Sequence, residues 1–412
     1  MSSRARRRVL FLDTAPTVGG SVISLYELIR GLDRRDYDPL VVTYAPHAYA
    51  ERFRAVGAKV ISWQFCGAPD HRPGWVHRTR SATPARRLQQ NAAGSALYHG
   101  LGFGLFFMRR VWPRARALQR VIEEQHIDLV HTNIRVGHDR EGILAARMAR
   151  VPCVCHVRDF ERLNWFDRRL ANTAARFIYI SQVVQRSHIA AGVPCTKGRV
   201  VYNGLDLEAF DAGMDAQAGR QSFALAPDEL AVGIVGRLES WKGHDVYLRA
   251  MALVKDVVPR VRGIIVGGPV PHEPDYRASL VALQKDLRLT ERVTFFDHRA
   301  DVPAMMSALD VLVLASTSPE PFGRVLIEAM AASKPVVATD AGAGPEIIEE
   351  GEQGLLVAPG DPRALADAVI RILADRSLAS TMGQKGRFRV QERFHVQQYV
   401  DGVQAVYREL LP

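Results

Sequence analysis

Short apolar runs alternate with amphipathic stretches along nearly the whole chain, and that alternation restricts it to βαβ units wound into parallel sheets. In the first half the runs that read as strands are 8–12, 39–44, 58–62, 128–132, 152–157, 176–180 and 199–201. A second series follows at 230–235, 262–266, 293–296, 310–314, 335–339 and 354–357. Between them the pattern lapses into D-A-G-M-D-A-Q-A-G-R, a Gly/Ala/Asp segment that reads as a linker over 207–228. With 412 residues, one hydrophobic core is not expected to suffice. The predicted architecture is α/β, with two Rossmann-like doubly wound domains. They are 1–206 and 229–390, with a last helical segment, 391–412, returning to the first. In such sheets ligands bind beyond the carboxyl ends of the strands.

Charge is distributed unevenly between the two series. Residues 1–206 carry 32 Lys and Arg against 16 Asp and Glu, and residues 207–412 carry 22 against 28. The first half, at +16, is suited to face something anionic, whereas the second stands at −6. Much of this surplus lies in an insertion, 71–122, which contains ten arginines and no carboxylate. Its apolar stretch 94–108 runs directly into Arg109 and Arg110, as a segment lying in an anionic membrane interface would. The other reading is a core helix whose glycines permit close packing. The aromatic residues of the insertion are too sparse, and motifs too absent, for nucleic acid.

The apolar run after the basic N-terminus ends at Asp13, too early for a secretory signal, and no window reaches the length of a spanning helix. The four cysteines (Cys66, Cys153, Cys155, Cys195) fit no zinc or disulfide framework and read as buried thiols. The expected location is the cytoplasm, peripheral at the inner face of the membrane.

Three segments carry candidate chemistry. After the first strand comes T-V-G-G-S, where Gly19 and Gly20 let backbone amides approach a phosphate or a sugar at a helix start, or simply form a tight turn. In V-G-R-L-E-S-W-K-G, Gly236 and Arg237 follow a strand, and Lys242 lies beyond a turn. Two cations converging there suit a leaving nucleoside diphosphate, although each is also the kind of residue found as a solvated surface charge. The third segment, S-P-E-P-F-G-R-V-L-I-E-A-M-A, has Glu320 in a loop and Gly323 opening a helix that bears Glu328. A carboxylate among Leu326, Ile327, Ala329 and Met330 needs a partner. A ribose diol is one such partner, and Glu320 is placed to reach sugar hydroxyls.

These glutamates, eight apart, together with G-R-L-x-x-x-K-G upstream, resemble the family 4 retaining glycosyltransferases of the GT-B fold. The likeness extends to D-L-V-H-T-N (128–133), Y-N-G-L-D (202–206), K-P-V-V-A-T-D (334–340) and G-L-L-V (354–357). The resemblance implies a UDP-sugar or GDP-sugar donor, no metal, and a glycan or lipid-linked acceptor. It places Arg237 and Lys242 on the diphosphate and Glu328 on the ribose. Glu320 falls on the donor sugar, with backbone amides near Phe322, Gly323 and Val325, and Arg299 falls near the nucleobase. His156 matches the family's histidine near the donor sugar, or else is a strand-end residue satisfied by a carbonyl. Asn133 and Arg158 fall with His156 on the acceptor side. Two positions depart from the family pattern, Ser333 and His298 standing where glycine is usual. The same fold also serves epimerases and non-catalytic nucleotide-sugar binders.

Overall fold

Every expected apolar run forms a strand in the computed structural model, which describes residues 6–15, 19–44, 49–63 and 102–411. The chain divides into two units. The first is Met1–Ile180, Val184–Val201 and Gly402–Pro412, and the second is Ser181–Val183 and Tyr202–Asp401.

In the first unit β1 (Arg7–Asp13), β2 (Tyr37–Thr43), β3 (Lys59–Ser62), β4 (Leu129–Thr132), β5 (Cys153–Val157), β6 (Arg176–Tyr179) and β7 (Gly198–Val200) form one sheet in the order β3-β2-β1-β4-β5-β6-β7. All neighbouring pairs are parallel, with Phe11 of β1 opposite both Val41 of β2 and His131 of β4. In the second unit β8 (Leu230–Val235), β9 (Val261–Val266), β10 (Val293–Phe296), β11 (Val311–Leu314), β12 (Val336–Thr339) and β13 (Gly354–Val357) form another parallel sheet, in the order β10-β9-β8-β11-β12-β13. Both orders reverse beside the first strand, between β1 and β4 and between β8 and β11. This switch point is where a crevice opens in a doubly wound sheet.

The inner strands are largely apolar instead of alternating, because helices cover both faces of a parallel sheet, whereas the edge strands β3 and β7 are not buried. In β11 and β12 every residue is buried. Helices are pinned to the sheet by polar contacts as well as by packing. Tyr247, on the helix His244–Val257, donates to the carbonyl of Val232 (2.7 Å) and accepts from the amide of Ile264 (3.1 Å), which ties β8 to β9.

Four expectations are corrected. The segment 207–228 is no linker. It holds the helices Leu207–Ala212 and Ala216–Ser222 and belongs to the second unit. Each starts at an aspartate, Asp206 and Asp215, whose carboxylate accepts an amide three residues on (3.0 and 2.9 Å). A composition reading overlooks such caps. Gly219 is there for contact, since a Cβ at this position would lie 2.3 Å from the carbonyl of Ala304. The closing helix, Val396–Leu410, divides between the units at Gly402, so only 402–412 belong with the first sheet. Cys153 and Cys155 are buried as expected, but Cys195 is exposed.

The last correction concerns the arginine-rich insertion. Cys66 and the segment 71–101, including the start of the apolar stretch 94–108, lie outside the described residues. From Phe107 the chain makes a π turn into the helix Trp112–Glu124, burying Val111, Ala115, Leu118 and Ile122. Phe103 and Phe107 pack on the ring of Phe166 (centroids 5.4 and 5.2 Å). Leu105, Met108 and Trp112 are exposed. The core-helix reading therefore holds for one face only.

Candidate active site

Beyond the ends of β8 and β11, the second unit gathers most of the residues expected around a donor. Lys242 closes the short turn Ser240–Lys242, and its Nζ donates to both carboxylate oxygens of Glu320 (3.0 and 2.8 Å). The ammonium also sits 4.0 Å from the ring centroid of Trp241. This pair spans the switch point, because Lys242 follows β8 and Glu320 follows β11. Glycine is required on both sides of it. Gly243 has φ +71°, and a Cβ there would lie 1.9 Å from the carbonyl of Ala315. Gly342 has φ +66°, and its Cβ would meet the backbone of Glu320 at 2.2 Å. The Lys242 side chain runs alongside Gly236, where a Cβ would stand 4.0 Å from its Cδ.

Glu320 is buried and accepts a third bond, from Ser316 Oγ (2.8 Å). A buried carboxylate with one cation and a hydroxyl is satisfied and held in one orientation. Arg237 differs. Its side chain is 58% exposed and lies 3.2 Å from Glu239, a buried acid that also accepts from the Trp241 indole (2.9 Å). The expected convergence is therefore partial, since Lys242 is locked and Arg237 reaches into solvent.

Gly323, at φ +85°, starts the helix Arg324–Ala331. Its first amides, Val325 among them, have no acceptor within the helix. Phe322 is buried against Tyr202 and Phe394 (centroids 6.3 and 6.1 Å). Glu328 is not the unpartnered acid of the sequence reading, for Arg324, one turn earlier, donates to it at 2.9 Å. Burial nevertheless pushes its carboxyl above the usual range, against the opposing pull of Arg324. Arg299 is held locally, by Asp301 (2.9 Å from Nε) and over the Phe223 ring (4.9 Å). His298 lies in the loop after β10.

Around the switch point of the first unit two neutral histidines stand beside the charge of Arg158. Gly19 caps the helix Gly20–Gly31 in an extended conformation, and a Cβ at Gly19 or Gly20 would meet no described atom within 4 Å. Asn133, just past β4, donates to the carbonyl of Ser21 (3.3 Å) and accepts from Arg158 Nε (2.8 Å). His156 is fully buried in β5. Its Nδ1 lies 3.3 Å from Arg158 Nη2 and 3.2 Å from Nε2 of His131, whose own Nδ1 is 2.7 Å from the hydroxyl of Tyr407.

These partners assign the tautomers. A guanidinium only donates, so Nδ1 of His156 is an acceptor. His131 then donates through Nε2 and accepts from Tyr407 at Nδ1. His156 carries its proton on Nε2. Burial, reinforced by the Arg158 charge, holds both imidazoles well below their ordinary pKa, so both are neutral near pH 7. His156 is thus a hydrogen-bond donor and not a general base. Sequence reasoning missed His131, Tyr407, Ser316 and Gly342. His131 was in plain sight within D-L-V-H-T-N, whereas Tyr407 lies 276 residues away and no local signal marks it.

Comparison with known proteins follows the same division. The model of "Glycosyl transferases group 1" matches residues 215–389, and that of "Glycosyltransferase Family 4" matches residues 70–209. D-inositol 3-phosphate glycosyltransferase of Mycolicibacterium gilvum is 32% identical over 73% of this chain and 69% of its own length. The enzyme of that name from Mycobacterium marinum is 33% identical over 63% of this chain, an alignment spanning 52% of its length. Among solved structures, Anabaena HepE in complex with UDP and glucose superposes with a TM-score of 0.77 at 27% identity, covering 98% of this chain and 100% of that one. With the GT-B architecture of two Rossmann-like units, the glutamate helix and the Arg/Lys loop in place, the chain belongs to the family 4, group 1 glycosyltransferases.

Proposed function

We propose that this protein transfers a hexose from a nucleoside diphosphate sugar, UDP- or GDP-linked, to an acceptor hydroxyl with retention of anomeric configuration and without a metal. The observation that carries the reading is the Lys242–Glu320 pair across the β8/β11 switch point, inside the segment matched by the group 1 model. Two of the three ammonium N–H bonds are on Glu320, which leaves the third for a diphosphate oxygen. Arg237, largely exposed beside Glu239, supplies the second charge. The two cations oppose the negative charge that builds on the diphosphate as the glycosidic bond breaks. Glu320 and the amides of Phe322 and Gly323 hold sugar hydroxyls, and Glu328, oriented by Arg324, takes the ribose diol.

In this mechanism the acceptor hydroxyl attacks from the face the diphosphate leaves, through an oxocarbenium-like transition state. The departing phosphate takes the hydroxyl proton. His156 donates from Nε2 to a sugar oxygen. The charge needed for this chemistry comes from Arg237 and Lys242.

The acceptor is a lipid-linked or glycoconjugate precursor, including one for polysaccharide, met at the cytoplasmic face of the membrane. Support comes from the basic first half and from exposed Leu105, Met108 and Trp112 beside Arg109. No helix among the described residues is long and apolar enough to cross a membrane. A donor screen tests the reading, following release of UDP or GDP with and without membrane extract. Failure of every nucleoside diphosphate sugar to bind or turn over would overturn it. Flotation with anionic vesicles at low and high salt tests the membrane contact, which indifference to lipid charge would refute.

A further inference from the structure

The loop after β9, 267–275, is stitched to the loop that carries the donor cations. The amide of Leu238 donates to the carbonyl of Gly268 (2.9 Å), and Glu273 accepts from both the amide and the hydroxyl of Ser240 (2.8 and 3.1 Å). Beside these ties stands His272, whose Nε2 lies 3.2 Å from Oε1 of Glu239. The other oxygen of that acid, Oε2, lies 3.2 Å from Arg237 and accepts from the Trp241 indole (2.9 Å). One carboxylate thus faces an arginine on one oxygen and a histidine on the other.

The Glu239 side chain is only 4% exposed, and a carboxylate so buried needs a cation beside it. The two within reach differ in kind. Arg237 is charged at any working pH, and in the proposed transfer it turns to the diphosphate. His272 is 64% exposed and is the side-chain type whose charge ordinarily changes between about pH 5 and 8. Once Arg237 leaves, Glu239 keeps only the neutral indole unless His272 supplies a charge. The consequence reaches the second cation, because the Lys242 ammonium stands over that same indole, 4.0 Å from the ring centroid. The neighbouring groups leave the role to His272. Glu273 is committed to Ser240, and Lys242 to Glu320. Burial and the nearby Lys242 lower His244 to about 4, so it is neutral near pH 7, and burial pushes the Tyr276 hydroxyl up, so it stays protonated.

We infer that Glu239 and His272 are positioning residues for the donor cations. On donor binding Arg237 passes from Glu239 to the diphosphate, and His272 takes a proton from solvent and replaces it on the acid. The exchange rests on the proposed donor reading, whereas the Glu239 cluster itself does not. Calorimetric titration of the full chain with UDP-glucose, then with its GDP counterpart, tests it in buffers of differing ionisation enthalpy. The diphosphate of such a donor is esterified at both ends and does not titrate near neutral pH, so proton uptake reports on the protein. Binding near pH 7 should draw a fraction of a proton, and affinity should rise by roughly threefold or more from pH 8 to pH 6, within what one charge-assisted contact supplies. His272→Gln, a neutral donor at an exposed position, should abolish both effects with little change in melting temperature. Glu239→Gln should abolish them too, since no acid then remains to be balanced. A merely structural role for either residue would lower the melting temperature and leave the proton count unaltered. Uptake that persists in His272→Gln, or no uptake by the native chain, would overturn the exchange and leave donor binding standing. Failure of both nucleotide sugars to bind would overturn the exchange and the donor reading together.

Discussion

The two switch points share a topology and differ in chemistry. Between β8 and β11 the second unit places formal charges face to face, Lys242 on Glu320, with Arg324 on Glu328 nearby. Between β1 and β4 the first unit places a neutral chain, Tyr407 to His131 to His156, with Arg158 at its end. A doubly wound sheet thus dictates where a site forms, not what fills it. Fixed charge suits a leaving diphosphate, and oriented neutral donors suit sugar hydroxyls, which bond without demanding charge.

The largest expected effect lies on the charged side. Lys242→Ala should lower turnover by roughly 100-fold or more, the cost of one preorganised charge donor. The same change leaves Glu320 buried without its cation and so destabilises the unit. Adding Glu320→Gln to that variant separates the two effects, since melting temperature should recover while turnover stays low. Near-normal turnover of Lys242→Ala with intact donor would break the assignment.

Both sides contribute to the second expectation, which concerns pH. Burial and the nearby Lys242 lower the imidazole of His244 to about 4, and those of His131 and His156 are also depressed. Below the unfolded value of about 6.5 the unfolded chain takes up protons that the folded one refuses, so stability falls as pH falls. For His244 alone the loss is roughly 2 kcal/mol at pH 5, and it levels off below pH 4. Melting curves from pH 7.5 to 4.5 check this, and His244→Gln should flatten them. A slope unaltered by that change would refute the assignment for His244.

How far the sequence shows this architecture depends on the range of the interactions. The thirteen strands were legible as apolar runs, most continuous where both faces are buried, as in β11 and β12. The charged site was legible because Glu320, Gly323 and Glu328 are close in the chain and the Arg237–Lys242 loop follows a strand directly. The neutral site was not, because Tyr407 reaches His131 only through the closing helix. The Glu328 partner was overlooked although Arg324 stands four residues away, a spacing that joins side chains on a helix. The helices of 207–222 were hidden by their composition, with only two capping aspartates marking them.

The neutral chain gives the third prediction. Tyr407→Phe removes the hydroxyl that donates to His131 and leaves His131 Nδ1 buried without that donor. His156 can then lose its fixed tautomer. Turnover should fall by roughly tenfold, the range for one unsatisfied buried group, with less change in the donor KM. Nitrogen NMR of the imidazoles supplies a readout that a merely structural role would not move. In the native chain His156 should show an unprotonated Nδ1 and a protonated Nε2, and the variant should show a mixture. A protonated Nδ1 in the native chain would overturn the relay.

The smallest effect comes from one of the two departures from the family's glycine pattern, on the charged side of the comparison. Ser333 has φ +56°, the left-handed region that glycine occupies readily. It stands just past the helix bearing Glu328, and its amide bonds to the carbonyl of Met330 while that of Lys334 bonds to Ala329 (both 3.0 Å). This is the C-terminal arrangement in which glycine is usual. A residue with a Cβ loses about 1–2 kcal/mol in that conformation, partly offset by the greater freedom glycine has when unfolded. Ser333→Gly should therefore stabilise the chain by roughly 0.5–1 kcal/mol, read as a raised melting temperature with turnover unchanged. A lower melting temperature would mean that the serine hydroxyl contributes more than the strained backbone costs. The turn under the Glu328 helix would then be a specialised feature of this chain and not a tolerated departure.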